Sequence, residues 1–147
     1  MNSDKTINIL LVEDSPGDVE LTREALSNGR TPHQLWVTCD GEEALHFLNK
    51  QGKYSDCKTP DLILLDLNMP RKDGMEVLNE IRNSERLKSI PVIILTTSNS
   101  ELDVFKSYDH YANAYFVKPV DLHEFFEVIR AIEDFWFNIA SLPVIAN

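Results

Sequence analysis

The feature of the sequence that most constrains its fold is a regular alternation of short apolar runs with helix-start signals. Several runs are unbroken Ile, Leu and Val, which is typical of strands buried on both faces of a parallel sheet. Each run is followed by an N-cap residue with an acidic residue three positions later, a spacing that begins helices. The predicted strands are Ile7–Val12, Gln34–Cys39, Leu62–Asp66, Val92–Thr96 and Ala114–Val117, and the predicted helices begin at the caps Ser15, Asp40, Asp73, Ser100 and Asp121.

Five strand–helix pairs predict an α/β fold, a flavodoxin-like (βα)5 doubly wound parallel sheet with strand order 2-1-3-4-5. In that order the ligand crevice lies between strands 1 and 3, at their carboxyl ends, where the winding reverses. The 147 residues have the length of one ordinary domain. We therefore expect a single domain over residues 1–147, with a core at about 7–137 and a C-terminal extension, 138–147, that is a candidate for a dimer interface.

The composition argues against nucleic-acid and membrane partners. The net charge is −10 and the basic residues are scattered, whereas a nucleic-acid surface needs clustered Lys and Arg. No apolar run approaches the ~20 residues that cross a bilayer, and the N-terminal stretch lacks the layout of a signal peptide. Cys39 and Cys57 have no metal-ligand spacing, so two free thiols are expected. These features predict a cytoplasmic protein.

Polar side chains stand at the carboxyl ends of four predicted strands. Glu13 and Asp14 follow strand 1, Asp66 ends strand 3, Thr96 ends strand 4, and Lys118 follows strand 5. Each residue alone has an ordinary explanation, since an Asp after a strand is often only a helix cap and a Lys before Pro is often only a surface charge. Their coincidence on the edge where open α/β sheets bind ligands favours a functional site.

Three carboxylates at one crevice repel each other unless a cation neutralises them. The all-oxygen donor set, without paired His or Cys, favours Mg²⁺ or Mn²⁺ over zinc. Beside such a cation Asp66 can act as a nucleophile that accepts a phosphoryl group. Lys118 would then supply a second positive charge to the phosphoryl oxygens, and Thr96 a hydroxyl donor.

Four segments resemble the hallmark segments of response-regulator receiver domains of two-component signalling: LLVEDSPGD, PDLILLDLNMPRKDGMEVL, PVIILTTS and YFVKP. The resemblance runs from about Ile7 to Phe137. It implies that a histidine kinase phosphorylates Asp66. It also implies that Mg²⁺ is held by Asp14, Asp66 and the backbone carbonyl of Asn68, with Glu13 acting mostly through water.

The same resemblance assigns further roles at this site. Thr96 and Lys118 would contact the phosphoryl group, and Tyr115 stands where the family has a switch aromatic coupled to Thr96. Asn68 and Ser98 would tune the lifetime of the phosphate, and because neither carries a charge that orients water, slow hydrolysis is expected. The resemblance also implies a cis Lys118–Pro119 peptide bond. Self-phosphorylation from a phosphohistidine and slow autodephosphorylation would be the only reactions, so the chain is not expected to be an enzyme otherwise.

Three other readings fit the sequence less well. A haloacid-dehalogenase-type phosphatase needs a second Asp two residues after the nucleophile, where this chain has Asn68. A flavodoxin-like electron carrier would place a flavin phosphate after strand 1, where Glu13 and Asp14 would repel it. A degenerate receiver that only binds partners is disfavoured because the acids, Thr96 and Lys118 are all present.

The C-terminal end of the chain is more apolar than one buried helix face requires. On a helical wheel of ~100° per residue, apolar residues cover more of the helix surface than the stripe that packs on a sheet. The additional apolar residues are chiefly Val128, Phe135 and Phe137. This surplus predicts a second buried surface, which self-association would supply. The alternative is that the tail 138–147 folds back and covers it.

Three segments also resemble small response regulators paired with cyanobacterial phytochromes: IEDFWFNIASLP, QGKYSDCKTP and LILLDLNMPRKDG. This resemblance implies a homodimer through helix 4, strand 5, helix 5 and the C-terminal segment. It implies a bacterial phytochrome, a light-sensing histidine kinase, as the phosphodonor. That kinase would dock on helix 1 and the β5–α5 loop, near Leu21, Ala25 and Pro119.

Overall fold

A computed structural model describes residues 6–29 and 31–144, and in it all five predicted strands form one parallel sheet. The sheet order is β2-β1-β3-β4-β5, so the predicted doubly wound flavodoxin-like topology is confirmed. The strands are β1 (Ile7–Val12), β2 (His33–Thr38), β3 (Leu62–Leu65), β4 (Val92–Thr96) and β5 (Ala114–Val117). The helices are α1 (Pro16–Ser27), α2 (Gly41–Leu48), α3 (Gly74–Arg82), α4 (Glu101–Asp109) and α5 (Leu122–Ile132), with a 3-10 turn at Gly52–Tyr54 and a π-helical segment at Glu133–Ile139.

All five predicted N-caps begin the helices. In each case the cap side chain accepts the backbone N–H of the residue three positions later, at distances between 2.7 and 3.3 Å. At α3 the reciprocal bond is also present, because the Asp73 N–H donates to the Glu76 carboxylate. Local capping chemistry therefore fixes where each helix starts, and with it the length of each loop at the carboxyl edge of the sheet.

The core lies on both faces of the sheet, which explains the unbroken apolar runs. Alternate residues of β1, β3 and β4 point to opposite faces. One face packs against α2 and α3, and the other against α1 and α5. The buried residues of these strands on the first face are Leu10, Val12, Ile63, Leu65, Val92 and Ile94, and those on the second are Ile7, Ile9, Leu11, Leu62, Leu64, Ile93 and Leu95.

The C-terminal segment differs in part from the second apolar surface that the sequence predicts. The α-helix ends at Ile132, and the chain continues as a π-helix in which the Ala140 N–H donates to the Phe135 carbonyl at 2.7 Å. Hydrogen bonds from residue i to i+5 widen the turn, so the spacing of an α-helical wheel fails here. Phe137 is only 5% exposed and belongs to the core, so its prediction as a surface residue is wrong.

Other parts of this segment stay nearer to the surface. Phe135 is half exposed, and Val128 is half-buried against the core. Leu142 packs against the same core cluster, so the tail folds back at this residue. The last three residues of the predicted extension, 145–147, lie outside the described part of the chain.

Two further findings concern the backbone. Every peptide bond of residues 6–29 and 31–144 is trans, so the implied cis Lys118–Pro119 bond is wrong; an X–Pro bond still favours the trans form without tertiary constraints. Within the same residues, no helix combines the length and the apolar character needed to cross a membrane.

Candidate functional site

The polar residues predicted at the strand ends lie together at the carboxyl edge of the sheet. Backbone hydrogen bonds hold the chain at these ends in register. The Asp66 N–H donates to the Val12 carbonyl at 3.0 Å, and the Lys118 N–H donates to the Thr96 carbonyl at 2.7 Å. The segments that carry the site are therefore extensions of rigid strands.

Three carboxylates form the acidic part of the site. Glu13, Asp14 and Asp66 each place one oxygen within 4.8 Å of the others, with Glu13 and Asp66 buried and Asp14 exposed. Burial raises the pKa of the Glu13 carboxyl to about 7; a hydrogen bond from Lys118 opposes this shift and the charge of Asp66 adds to it. Three carboxylates that converge in this way offer a set of oxygen donors that fits a hard divalent cation such as Mg²⁺ or Mn²⁺.

Lys118 lies inside this acidic site, with 5% of its side chain exposed. Its Nζ donates to Glu13 Oε1 and, at 2.8 Å, to Asp18 Oδ2, and it lies 3.6 Å from Asp66 Oδ2. Burial alone would lower the pKa of Lys118, but the hydrogen bonds to Asp18 and Glu13 outweigh it, and the pKa lies above its ordinary value. A charged ammonium is therefore fixed beside Asp66.

Asp18 is a site residue that the sequence reasoning missed. Its spacing from Ser15 predicts only an acidic residue in the first turn of α1, where its N–H completes the Ser15 cap. The available signal was its position, because α1 begins directly after Glu13 and Asp14 at the same edge. The sequence alone did not indicate that its carboxylate would reach Lys118.

A separate chain of contacts joins Thr96 to Tyr115. Thr96 is fully buried, and its Oγ1 accepts the Ser98 N–H at 3.5 Å. The Tyr115 hydroxyl donates to the Ser98 carbonyl at 2.9 Å, and burial raises the pKa of Tyr115. The Ser98 hydroxyl donates to Asp103 of α4 at 2.6 Å. Ser98 therefore connects the Thr96 hydroxyl, the Tyr115 side chain and α4.

The turn after β3 positions Asp66 through a close backbone approach. The Gly74 N–H donates to the Leu67 carbonyl at 3.0 Å, and a Cβ on Gly74 would lie 2.2 Å from the Asp66 carbonyl oxygen. Asn68 is exposed on this turn, and its N–H donates to Asp66 Oδ1 at 3.4 Å. Glycine at position 74 is thus required by space, because α3 begins against the backbone of the Asp66 segment.

The predicted kinase-docking residues differ in exposure. Leu21 and Pro119 are half-buried at the surface. Ala25 is only 7% exposed and packs in the core against α5, so its prediction as a docking residue is wrong.

Known proteins resemble this chain over most of its length. The family described as response regulator receiver domain matches residues 9–130. Response regulator Rcp1 of Synechocystis sp. is 47% identical over 135 residues, which cover 92% of each chain. The crystal structure of the phosphorylated cyanobacterial phytochrome response regulator RcpA has a TM-score of 0.92 and 46% identity, over 95% of this chain and 100% of that one. The Mn²⁺-bound form of Rcp1 has a TM-score of 0.91 and 46% identity, over 94% of this chain and 99% of that one.

Proposed function

Because the chain belongs to the response regulator receiver domain family, and is a phosphorelay response regulator, we propose that Asp66 is its phosphorylation site. The observation that carries this assignment is the placement of the Lys118 ammonium 3.6 Å from Asp66 Oδ2, among carboxylates that converge within 4.8 Å. Glu13 is also buried beside this ammonium, but it already accepts a hydrogen bond from Lys118, whereas the Asp66 oxygen at 3.6 Å does not. We also propose that residues 1–147 form one receiver domain, with its core at about 7–137.

In the proposed reaction, an Asp66 carboxylate oxygen attacks the phosphorus of a phosphohistidine. The new oxygen–phosphorus bond forms as the phosphorus–nitrogen bond breaks, and the electron pair of that bond leaves with the imidazole. Lys118 lies where it can donate to a phosphoryl oxygen, and Thr96 supplies a hydroxyl donor at the end of β4. No general base is required, because the carboxylate is already the nucleophilic form.

A divalent cation fits the acidic part of the site, and we propose Mg²⁺ or Mn²⁺. Asp14, Asp66 and the Asn68 carbonyl would hold it, with Glu13 acting through water. When bound, the cation would supply the positive charge that neutralises the phosphoryl oxygens. The related Rcp1 has been crystallised with Mn²⁺, which supports a cation of this class.

The proposed phosphodonor is a histidine kinase of the phytochrome type. The similarity to Rcp1 and to the phytochrome response regulator RcpA over nearly the whole chain supports this pairing. We propose that the kinase docks on α1 and the β5–α5 loop, near Leu21 and Pro119. The protein is proposed to be cytoplasmic, with no nucleic-acid or membrane partner.

Phosphotransfer from the autophosphorylated kinase tests the site assignment. Label should move to the wild-type protein with Mg²⁺ and not when the cation is chelated, and Asp66→Asn should receive none while still binding the kinase. Asp109→Asn, a matched change at the exposed end of α4, should be labelled like the wild type. Undiminished labelling of Asp66→Asn would refute the assignment.

We propose that the phosphate on Asp66 is hydrolysed slowly. Asn68 is a neutral amide, and the Ser98 hydroxyl is directed to Asp103 at 2.6 Å, so neither side chain offers a charge that would orient an attacking water. A half-life of the isolated phosphoprotein measured in seconds would contradict the proposed slow hydrolysis.

Tyr115 is proposed to change its contact with the Ser98 carbonyl when Thr96 contacts the phosphoryl group.

We further propose a homodimer through α4, β5, α5 and the C-terminal segment. Each of the three named elements exposes a large apolar side chain: Phe105 on α4 is 65% exposed, Val117 on β5 42% and Leu122 on α5 54%. Val128 and the half-exposed Phe135 extend the apolar character toward the C-terminus. Exposed apolar groups on adjoining elements are typical of association surfaces.

Light scattering with and without Mg²⁺ and beryllofluoride, a phosphoryl mimic, tests the dimer. The wild-type protein should have the mass of a dimer in at least one condition, and Phe105→Glu should reduce that mass toward the monomer. His46→Glu, which adds the same charge at an exposed position of α2, should behave like the wild type. A monomeric wild-type protein in all conditions would exclude the proposed dimer.

A further inference from the structure

Asp18 contacts the site from outside the acidic cluster that would hold the cation. Its backbone is fixed in the first turn of α1, because its N–H donates to Ser15 Oγ at 3.3 Å. Its Oδ2 accepts from Lys118 Nζ at 2.8 Å, and 29% of its side chain is exposed. The contact joins residues a hundred positions apart, from α1 to the end of β5.

We propose that Asp18 is a positioning residue that orients the Lys118 ammonium toward the phosphoryl group on Asp66; this inference rests on the proposed function. A lysine ammonium has three N–H donors and accepts nothing. Glu13 and Asp18 each take one donor. The Asp66 oxygen, at 3.6 Å, is too far for a hydrogen bond, so one donor remains for an oxygen that arrives on Asp66.

The exposure of the two carboxylates explains why Asp18 has its own role. Glu13 is buried and belongs to the acidic cluster, so its charge would be shared between Lys118 and a bound cation. Asp18 is outside that cluster and can keep its bond to Lys118 in either state. Without Asp18, the freed N–H of Lys118 can form a hydrogen bond with the Asp66 carboxylate itself. That bond would then compete with the hydrogen bond from Lys118 to the incoming phosphoryl oxygen.

Binding of beryllofluoride at saturating Mg²⁺ separates this role from a general effect of charge. Asp18→Ala should weaken beryllofluoride binding roughly three- to tenfold, the value of one hydrogen bond to a charged group after partial rearrangement. Mg²⁺ affinity should change less than about twofold, because Asp18 lies outside the proposed ligands of the cation and its charge is already paired with Lys118. Asp18→Asn, whose amide oxygen can accept the same N–H, should recover most of the beryllofluoride affinity.

Fluorine NMR of bound beryllofluoride gives a second readout, which a merely structural role would not move. The resonance of the fluorine that faces Lys118 should shift in Asp18→Ala. It should not shift in Glu24→Ala, which removes an exposed carboxylate from the same helix. If Asp18→Ala fails to fold, the isosteric Asp18→Asn should still show wild-type resonances with near wild-type affinity.

The outcomes separate this inference from the function on which it rests. Wild-type affinity in Asp18→Ala, or tighter binding, would overturn the positioning role alone. Equal losses in Asp18→Asn and Asp18→Ala would also overturn it, since they would show that only the charge matters. If the wild-type protein binds no beryllofluoride at saturating Mg²⁺, the proposed phosphorylation of Asp66 fails, and the inference fails with it.

Discussion

Replacing Gly74 with alanine should damage both the fold and the proposed phosphorylation site, although the change is only one methyl group. Its Cβ would lie 2.2 Å from the Asp66 carbonyl oxygen and 2.7 Å from Leu67 Cα. Side-chain Cβ atoms essentially never approach other atoms within 3.0 Å, so the start of α3 must move away from the β3–α3 turn. Both of the crowded atoms belong to backbone, so no flexible side chain can absorb the overlap.

The magnitude follows from this geometry. Forced overpacking costs about 1–3 kcal/mol, and the better helix propensity of alanine returns at most about 1 kcal/mol. We expect Gly74→Ala to lose about 1–2 kcal/mol of unfolding free energy, which for a chain of this size lowers the melting temperature by roughly 2–8 °C. A displacement approaching 1 Å at a reacting group can cost about 100-fold in rate, so phosphorylation of Asp66 should slow by roughly 10- to 100-fold.

Urea denaturation and Mg²⁺-dependent phosphorylation measure the two effects. Gly17→Ala is the matched control, because it lies on α1 beside the same site and the nearest atom to its Cβ would be Ser15 Oγ, at 4.0 Å. The control should fold as stably as the wild type, or up to about 1 kcal/mol more stably, and react at a similar rate. If Gly74→Ala has wild-type stability and wild-type phosphorylation, the predicted steric overlap at position 74 is refuted.

Three more predictions concern single groups. Glu133 is buried beside Gly29, and burial raises its pKa. The folded state therefore favours the protonated form of Glu133, and the protein should lose stability as the pH rises above 4.5. In urea denaturation, Glu133→Gln should stabilise the protein more at about pH 8 than at about pH 5. Asp40→Ala removes the 2.7 Å cap bond to the Glu43 N–H and should cost about 1 kcal/mol of unfolding free energy. Mg²⁺ affinity, measured by calorimetry, should rise with pH through about 7, as Glu13 loses its proton, and this dependence should flatten in Glu13→Gln.

The sequence predicted the elements because their signals are local. A cap side chain and the N–H it binds are three residues apart, and the apolar strand runs need only their own composition. It also predicted which polar residues lie together, because parallel strands bring their carboxyl ends to one edge whatever the details of packing. Asp66, Asp14 and Lys118 could be placed together from topology alone.

The residues that were misplaced or missed depend on geometry that no local pattern encodes. Phe137 was assigned to the surface because an α-helical wheel was extended through a segment that is π-helical. Asp18 was missed because its partner, Lys118, is a hundred residues away and the contact depends on how far two side chains reach. Ala25 was assigned to a docking surface, but the closeness of α1 and α5 buries it.

The charged cluster shows why the site cannot be explained as part of the stability of the fold. Glu13, Asp66 and Lys118 are all buried, and burying ions costs several kcal/mol each, which their mutual attraction recovers only with very good geometry. Here the geometry leaves an excess of acid: burial raises the pKa of Glu13 to about 7 although it accepts a hydrogen bond from Lys118. An apolar trio of the same volume would pack this edge of the sheet at lower cost. Because most of the remaining buried side chains are apolar and the caps hold each loop, the fold tolerates the cluster. The cost of the cluster is therefore consistent with its proposed role as a place for a cation and a phosphoryl group.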